Sequence, residues 1–304
     1  MNIPETTRKR LFTHMGNKVD AFLSQIDTLL QKYTAIWQLT DIAFLPTETG
    51  TANLLFTCQS SLHGACVLKI CSPGPEVQTE IHCLLAYNGN GYCKLWDYNL
   101  PDSILLLEQV IPGQQMWAVS DYRERARLMA SILKDLPVTH TEQGRFPTYL
   151  SWMEGIHQKL TGMNGMDDIL FYLNIAIEIY TELKQRRHRS CLLHGDLHQE
   201  NMLLNASGGY TIIDPKGVVD DPVMETARFL MNELPCEAVK IQDIVGIISP
   251  VTGISKEDML KSMFVDAALM HSWCMEEHFP TPEAFEAEKQ NALDTCKFVY
   301  ALLP

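Results

Sequence analysis

The chain lacks any Cys-x-x-Cys pair, and the odd count of its nine cysteines argues against a closed disulfide framework. Cys66 and Cys71 flank a strand with four residues between them and Cys191 stands far downstream, so no zinc site is expected at ligand spacing and the thiols read as reduced core groups. No apolar run approaches the roughly 20 residues that cross a bilayer. The Arg8-Lys9-Arg10 cluster is too short for a transit peptide, so the expected location is the cytoplasm with no membrane contact. Repeats and low-complexity tracts are missing too. Basic side chains number 24 against 37 acidic ones, for a net charge of −13, and they form no stripe, which excludes nucleic acid as a partner.

What is present is concentrated in His194-Gly195-Asp196-Leu197-His198-Gln199-Glu200-Asn201 and in Tyr210-Thr211-Ile212-Ile213-Asp214-Pro215-Lys216, joined across an Asn205-Ala206-Ser207-Gly208-Gly209 turn. Asp196 precedes an asparagine by five residues, and Asp214 follows that asparagine by thirteen. Phosphoryl transfer needs such a set, because its charge is spread over non-bridging oxygens and the protein mainly positions groups. Asp196 is the candidate base for an attacking hydroxyl. Asn201 and Asp214 offer the hard oxygens that suit Mg²⁺, and ATP is the implied donor. His194 reads as a brace for the loop through backbone hydrogen bonds, and His198 as a structural loop residue.

The first half supplies a nucleotide side. Ala65-Cys66-Val67-Leu68-Lys69-Ile70 reads as a buried strand whose lysine reaches phosphates. Pro75 opens a helical pattern with Val77, Ile81, Leu84 and Leu85 on one face, and Glu80 beside that stripe is the expected partner of Lys69, with Glu76 as the alternative. Leu45 to Phe56 resembles a phosphate-covering hairpin with a single glycine, in which Thr49, Gly50, Thr51 and Asn53 would make the contacts. A plain turn explains the same residues as well. Ile104 to Val110 is an apolar strand running into the breaker Pro112-Gly113, and backbone groups of Glu108 and Val110 are the candidate adenine contacts.

Three motifs, Leu106-Leu107-Glu108-Gln109-Val110-Ile111-Pro112-Gly113, His194-Gly195-Asp196-Leu197-His198 with Asn201, and Ile213-Asp214-Pro215-Lys216-Gly217, resemble the aminoglycoside phosphotransferase superfamily. Within it they are similar to the streptomycin 6-phosphotransferase and hydroxyurea-resistance kinase branch, to which the Asp-Pro-Lys-Gly segment points. The resemblance runs from about Gly50 to about Glu233. It implies an α+β, two-lobed protein-kinase-like fold with a small antiparallel-sheet N-lobe and a larger, mainly helical C-lobe. It also implies Mg-ATP as donor, Asp196 as base and a small hydroxylated antibiotic as acceptor. His-Gly-Asp stands where protein kinases have His-Arg-Asp, and no Ala-Pro-Glu segment follows Asp214. Room for a long regulatory loop is therefore missing, and constitutive activity is expected. Glu225, opening the next helix, is expected to accept hydrogen bonds from the catalytic-loop backbone.

The expected organisation is an amphipathic helix over 1–36, a nucleotide-binding lobe over 37–111 and a catalytic, acceptor-binding lobe over 112–304. Leu11, Met15, Val19, Phe22, Leu23, Ile26, Leu29, Leu30 and Tyr33 recur at helical spacing, and this helix is expected to pack on the larger lobe or to offer a partner surface. Residues 1–150 carry 12 basic and 14 acidic side chains, residues 151–304 carry 12 and 23, so the acceptor half is the acidic one. A negative cleft concentrates cations and suits an aminoglycoside of the streptomycin type; an ordinary solvated acidic face explains the same count. Candidate acceptor residues are Asp220, Asp221, Glu276 and Glu277, with Trp273 as an aromatic wall sharing one helix face with Glu277. Lys216 could contact phosphate or acceptor, or pair with Asp220 or Asp221. A metabolic kinase of choline, a sugar or another alcohol, and a silent nucleotide-binding protein, remain alternatives. The oligomeric state stays open, with a monomer as default.

Overall fold

The computed structural model describes residues 3–46, 53–136, 138–139 and 144–304. After helices α1 (Glu5–Met15) and α2 (Val19–Ile36) come strands β1 (Leu39–Leu45), β2 (Leu54–Ser60) and β3 (Gly64–Ile70). Helix α3 (Pro75–Tyr87), β4 (Leu95–Asn99) and β5 (Ile104–Glu108) complete the first lobe. The five strands pair antiparallel in the order β1-β2-β3-β5-β4. Alternation along β2 and β3 turns Leu54, Phe56, Cys58, Cys66, Leu68 and Ile70 into one buried face.

That face is covered by α2. Val19, Phe22, Ile26, Leu30 and Tyr33 recur every three or four residues and join the sheet's apolar side chains in one core cluster. The N-terminal segment therefore packs on the smaller lobe, not the larger one, and it is two helices rather than one. The sheet's apolar face needs a cover, and α2 has the matching stripe. Its C-terminal end is fastened by Tyr33 Oη donating to Asp102 Oδ2 at 2.7 Å and Trp37 Nε1 to Asp97 Oδ2 at 2.8 Å. The end of α1 and Gly16 after it reach the larger lobe, where His278 N donates to Thr13 O at 2.8 Å. Ile26 is 2 % exposed. Ile26→Ala should lower unfolding free energy by about 2–5 kcal/mol in urea denaturation, and Leu29→Ala, at a half-buried position, by clearly less.

The chain leaves the sheet after Glu108 and enters β6 (Pro112–Gln115), then α4 (Tyr122–Asp135), β7 (Val138–Thr139), α5 (Tyr149–Thr161) and α6 (Asp167–Arg186). Short strands β8 (Cys191–Leu193), β9 (Met202–Asn205), β10 (Tyr210–Ile212) and β11 (Val218–Asp220) follow, then α7 (Ala227–Met231), α8 (Ala238–Thr252), α9 (Lys256–Cys274) and α10 (Pro282–Tyr300). The strands form two three-stranded sheets, β10-β9-β6 and β11-β8-β7. α9 is buried on nearly every side, as a central helix must be to have apolar residues all round. This is a two-lobed kinase-like fold: an antiparallel-sheet lobe beside a mainly helical one. Residues 194–201 fill the gap between β8 and β9 and residues 213–217 the gap between β10 and β11, so two strand-end loops bring the chemistry to one place.

The lobes are joined by more than the crossing at 109–111. Val77, Ile81, Cys83, Leu84 and Tyr87 of α3 belong to the larger core cluster, and Tyr87 Oη donates to Leu192 O at 2.6 Å. Among the described residues no helix is long and apolar enough to cross a membrane.

Candidate active site

Lys69 lies on β3, 3 % exposed, with Nζ 2.7 and 2.8 Å from the two carboxylate oxygens of Glu80 on α3 and in contact with Asp214 Oδ1. Glu80, not Glu76, is the partner. Burial acts to lower the Lys69 pKa, but Asp214 and then Glu80 outweigh it and hold the ammonium charged well above its ordinary range. Burial likewise pushes Asp214 upward, and Lys69 more than reverses it, so its carboxylate stays ionised. Asp214 takes a left-handed backbone, φ 59°, a conformation that costs an L residue roughly 1–2 kcal/mol and is concentrated at functional sites.

The catalytic loop is braced from three sides. Glu225 accepts from His194 N at 2.6 Å and Gly195 N at 3.1 Å, the role expected for it. His194 Nδ1 accepts from Asp196 N at 3.0 Å while Nε2 lies 2.8 Å from Ile213 O, which fits a neutral imidazole protonated on Nε2. Burial drives its pKa down to about 4, so it stays neutral, and its one lone-pair nitrogen, Nδ1, is already occupied by the Asp196 N–H and is not free to take a proton from a ligand. Gln199 Nε2 donates to Glu233 Oε1 at 2.7 Å, and Glu233 also takes both ends of the Arg125 fork at 2.8 and 2.6 Å. Asn201 Nδ2 donates to Asp196 O at 3.0 Å, leaving Oδ1 as the atom available to a cation.

Two glycines set how closely the parts approach. At Gly195, φ 77°, a Cβ would come within 2.8 Å of Val218 Cγ1 and 3.0 Å of Trp152 Cη2, so the larger residue of the protein-kinase motif has no room here. At Gly217, φ 72°, a Cβ would meet Thr79 O at 2.9 Å and Cys83 Cβ at 3.2 Å, both on α3. The Asp-Pro-Lys-Gly turn thus lies directly against the helix that carries Glu80.

Asp196 faces a cation that the sequence reading passed over. Arg228 Nε is 3.3 Å from Asp196 Oδ1 and 3.0 Å from Asp266 Oδ2. Burial pushes Asp196 upward, yet Arg228, then Lys216 and the neighbouring histidines, hold the carboxyl well below its ordinary range. Arg228 sits one residue past Ala227 on a helix recognised only by its apolar positions. A single arginine there carries no signal until Asp266, on α9, is brought beside it.

The acceptor residues fare unevenly. Trp273 is half-buried, edge-on to Trp152 at 5.3 Å, with Lys216 Nζ 5.0 Å from its ring centroid. Lys216 therefore pairs with neither Asp220 nor Asp221. Those two are corrections: Asp220 is 2 % exposed and accepts from Tyr180 Oη at 2.6 Å and Lys184 Nζ at 2.9 Å, and Asp221 is 1 % exposed and bound to Arg187 Nε at 2.7 Å. Their carboxylates are nearly fully buried and engaged by partners within the fold. Glu276 is exposed but lies 2.8 Å from Lys159 Nζ. Helix α9 ends at Cys274 in tight turns, with Glu277 N donating to Cys274 O at 3.1 Å, so Glu277 does not share a helical face with Trp273 and instead faces His14 at 3.8 Å. On the nucleotide side, Glu108 N donates to Lys94 O at 2.9 Å and its carboxylate accepts from Lys94 N at 3.1 Å, while Val110 is partly buried at the lobe junction. Thr49, Gly50 and Thr51 lie outside the described residues.

Lysine, glutamate and aspartate joined across two lobes, beside a loop presenting an aspartate and an asparagine, define a phosphotransferase of the protein-kinase-like class. Residues 37–277 match the family described as aminoglycoside/hydroxyurea antibiotic resistance kinase, and the chain belongs to that family. It is 23 % identical over 225 residues to a streptomycin 6-kinase of Streptomyces glaucescens, covering 73 % of this chain and 72 % of the relative. A hydroxyurea phosphotransferase of Kitasatospora aureofaciens is 25 % identical over 207 residues, 62 % of this chain and 56 % of that one. Among solved structures, choline kinase LicA from Streptococcus pneumoniae superposes with a TM-score of 0.67 at 15 % identity, over 91 % of this chain and 99 % of that one.

Proposed function

We propose that the protein transfers the γ-phosphate of ATP to a hydroxyl of a small cationic acceptor, an aminoglycoside of the streptomycin type, and so acts as an antibiotic-inactivating kinase. The observation that carries this is the Asp196 carboxylate, kept ionised at the same cleft edge as the Lys69–Glu80–Asp214 cluster. Asp196 accepts the acceptor's proton as the oxygen attacks, Arg228 and Asn201 hold it in place, and Lys69 steers phosphate oxygens. Asn201 Oδ1 and the Asp214 carboxylate are a hard-oxygen donor set that fits Mg²⁺, which when bound neutralises charge on the phosphates. Backbone groups of Glu108 and Val110 serve the adenine edge. Trp273 with Trp152 forms the aromatic wall for the acceptor, and Lys216 is placed to exchange its position on the Trp273 ring for a cationic group of the ligand. The acidic balance of residues 151–304, 12 basic to 23 acidic, supports capture of a cation, as do the streptomycin 6-kinase relatives.

Coupled ADP release against streptomycin, other aminoglycosides, hydroxyurea, choline and sugars tests the reading. Streptomycin should turn over with a KM that rises with salt, since exposed charges are screened beyond roughly 10 Å at about 0.1 M. Asp214→Ala should raise the Mg²⁺ requirement more than Asn201→Ala, because the carboxylate contributes charge as well as an oxygen. Silence with streptomycin and salt-independent turnover of a neutral alcohol or hydroxyurea would overturn the cationic acceptor and leave the kinase assignment standing.

A further inference from the structure

The far side of the acceptor wall holds three side chains that the phosphotransfer reaction does not use. His271 and Cys274 lie three residues apart on one face of α9, and Glu288 meets them from α10. One ligand atom from each, an imidazole nitrogen, the thiol sulfur and a carboxylate oxygen, falls within 4.8 Å of the others. This is a set of the kind that closes on a tetrahedral ion. The acidic residues do not define the site alone. His271 is 5 % exposed, and neither of its ring nitrogens has a hydrogen-bond partner among the described residues. Buried polar groups are rarely left so, and an imidazole with both nitrogens unengaged between a thiol and a carboxylate points to a ligand.

We propose that His271 Nδ1 or Nε2, Cys274 Sγ and the Glu288 carboxylate form a binding site for a zinc ion, with a fourth position open to water. The mixed nitrogen, sulfur and oxygen set selects zinc over Mg²⁺ or Ca²⁺, which take oxygen ligands. Zn–S bond formation releases the Cys274 thiol proton to solvent, leaves the thiolate on the metal and involves no redox step. Burial keeps His271 neutral, its pKa lowered to about 4 with Arg228 adding to the effect, and a neutral imidazole is the ligating form. Burial, followed by Glu277 and Glu288, pushes the Cys274 thiol up to about 12, and burial with Glu288 raises Glu277. Cys274 is therefore a neutral thiol in the metal-free chain, and the metal must displace its proton. Arg228, the nearby positive charge, is already matched by Asp196 and Asp266. An ion here joins the last turn of α9 to α10 immediately behind Trp273, so its function is to fix the wall and not to take part in chemistry. Sequence spacing hides the site, because Glu288 is fourteen residues beyond Cys274 and on another helix.

The test uses the full chain, stripped with a chelator and kept in excess Mg²⁺ so that oxygen-ligand sites are occupied. Zinc is titrated in competition with a chromophoric chelator, and Co²⁺ is then used as a spectroscopic substitute. Wild type should bind one equivalent of zinc, and its cobalt form should show a thiolate-to-metal charge-transfer band with tetrahedral d–d absorption. Cys274→Ser should abolish that band, and Glu288→Gln should weaken zinc binding by at least the roughly 10- to 100-fold that loss of an outer-shell partner costs. Both variants are read only with unfolding midpoints beside wild type, and Glu288→Gln on the half-exposed face of α10 keeps the test decisive if Cys274→Ser folds poorly. Failure of wild type to compete with the chelator, or a cobalt band and stoichiometry unchanged in Cys274→Ser, would overturn the site.

Discussion

Replacing Asp196 with asparagine should cut turnover by about 10²- to 10⁴-fold, the usual worth of general-base assistance, while leaving the fold and ATP affinity close to wild type. The amide preserves shape and can still accept from its neighbours, and Arg228 keeps Asp266 as a partner at 3.0 Å. What is lost is a group able to take a proton. Steady-state rates in the ADP-release assay, measured at matched unfolding midpoints, decide the matter: equal rates for Asp196→Asn and wild type would remove this carboxylate from the chemistry.

Arg228→Met should have a second large effect, on stability and on pH dependence together. The methionine leaves Asp196 and Asp266 facing each other at a buried site without their shared cation, and breaking a buried pair from one side costs about 3–5 kcal/mol. In wild type Asp196 is held below its ordinary 3.8, so the carboxylate proposed as base stays deprotonated through the whole working range. Without Arg228 the upward push of burial prevails. The base then takes up a proton at higher pH, and the acid limb of kcat should move toward neutrality. The same shift removes the stability that a depressed carboxylate supplies above pH 3.8. A pH–rate profile separates two roles: a lower unfolding midpoint with an unmoved acid limb would make Arg228 a structural tie and not a positioning residue for the base.

Lys69, Glu80, Asp196, Asn201 and Asp214 were legible because each sits in a short segment whose chemistry depends on local order. A lysine alternating with buried residues on a strand, a glutamate beside an apolar helical stripe and a spaced aspartate–asparagine loop all announce themselves along the chain. Glu225 was legible for a similar reason, at the opening of a helix just after the motif. Asp220 and Asp221 misled because an exposed and a buried carboxylate look alike in sequence. Their partners Tyr180 and Lys184 on α6 and Arg187 just past its end lie more than thirty residues away. Arg228 and Asp266 are invisible for the same cause, each reading as an ordinary helix residue until α7 is laid on α9. Trp273 and Glu277 were placed on one helix face because periodicity continues past the point where tight turns end α9. The α2 stripe was read correctly as amphipathic, but which lobe it covers depends on the sheet's apolar face, a property of five strands taken together.

The contact of Gly217 with Thr79 and Cys83 has a pharmacological consequence. A ligand that binds behind the glutamate-bearing helix of a kinase-like fold needs that helix to swing away and open space. Here that helix is pressed against the turn following Asp214 with no room for a methyl group, and its apolar face is part of the larger lobe's core. Compounds of that type should find no pocket. A useful blocker of this enzyme must compete for the assembled nucleotide cleft or for the space its acceptor uses, and its selectivity over protein kinases has to come from the latter.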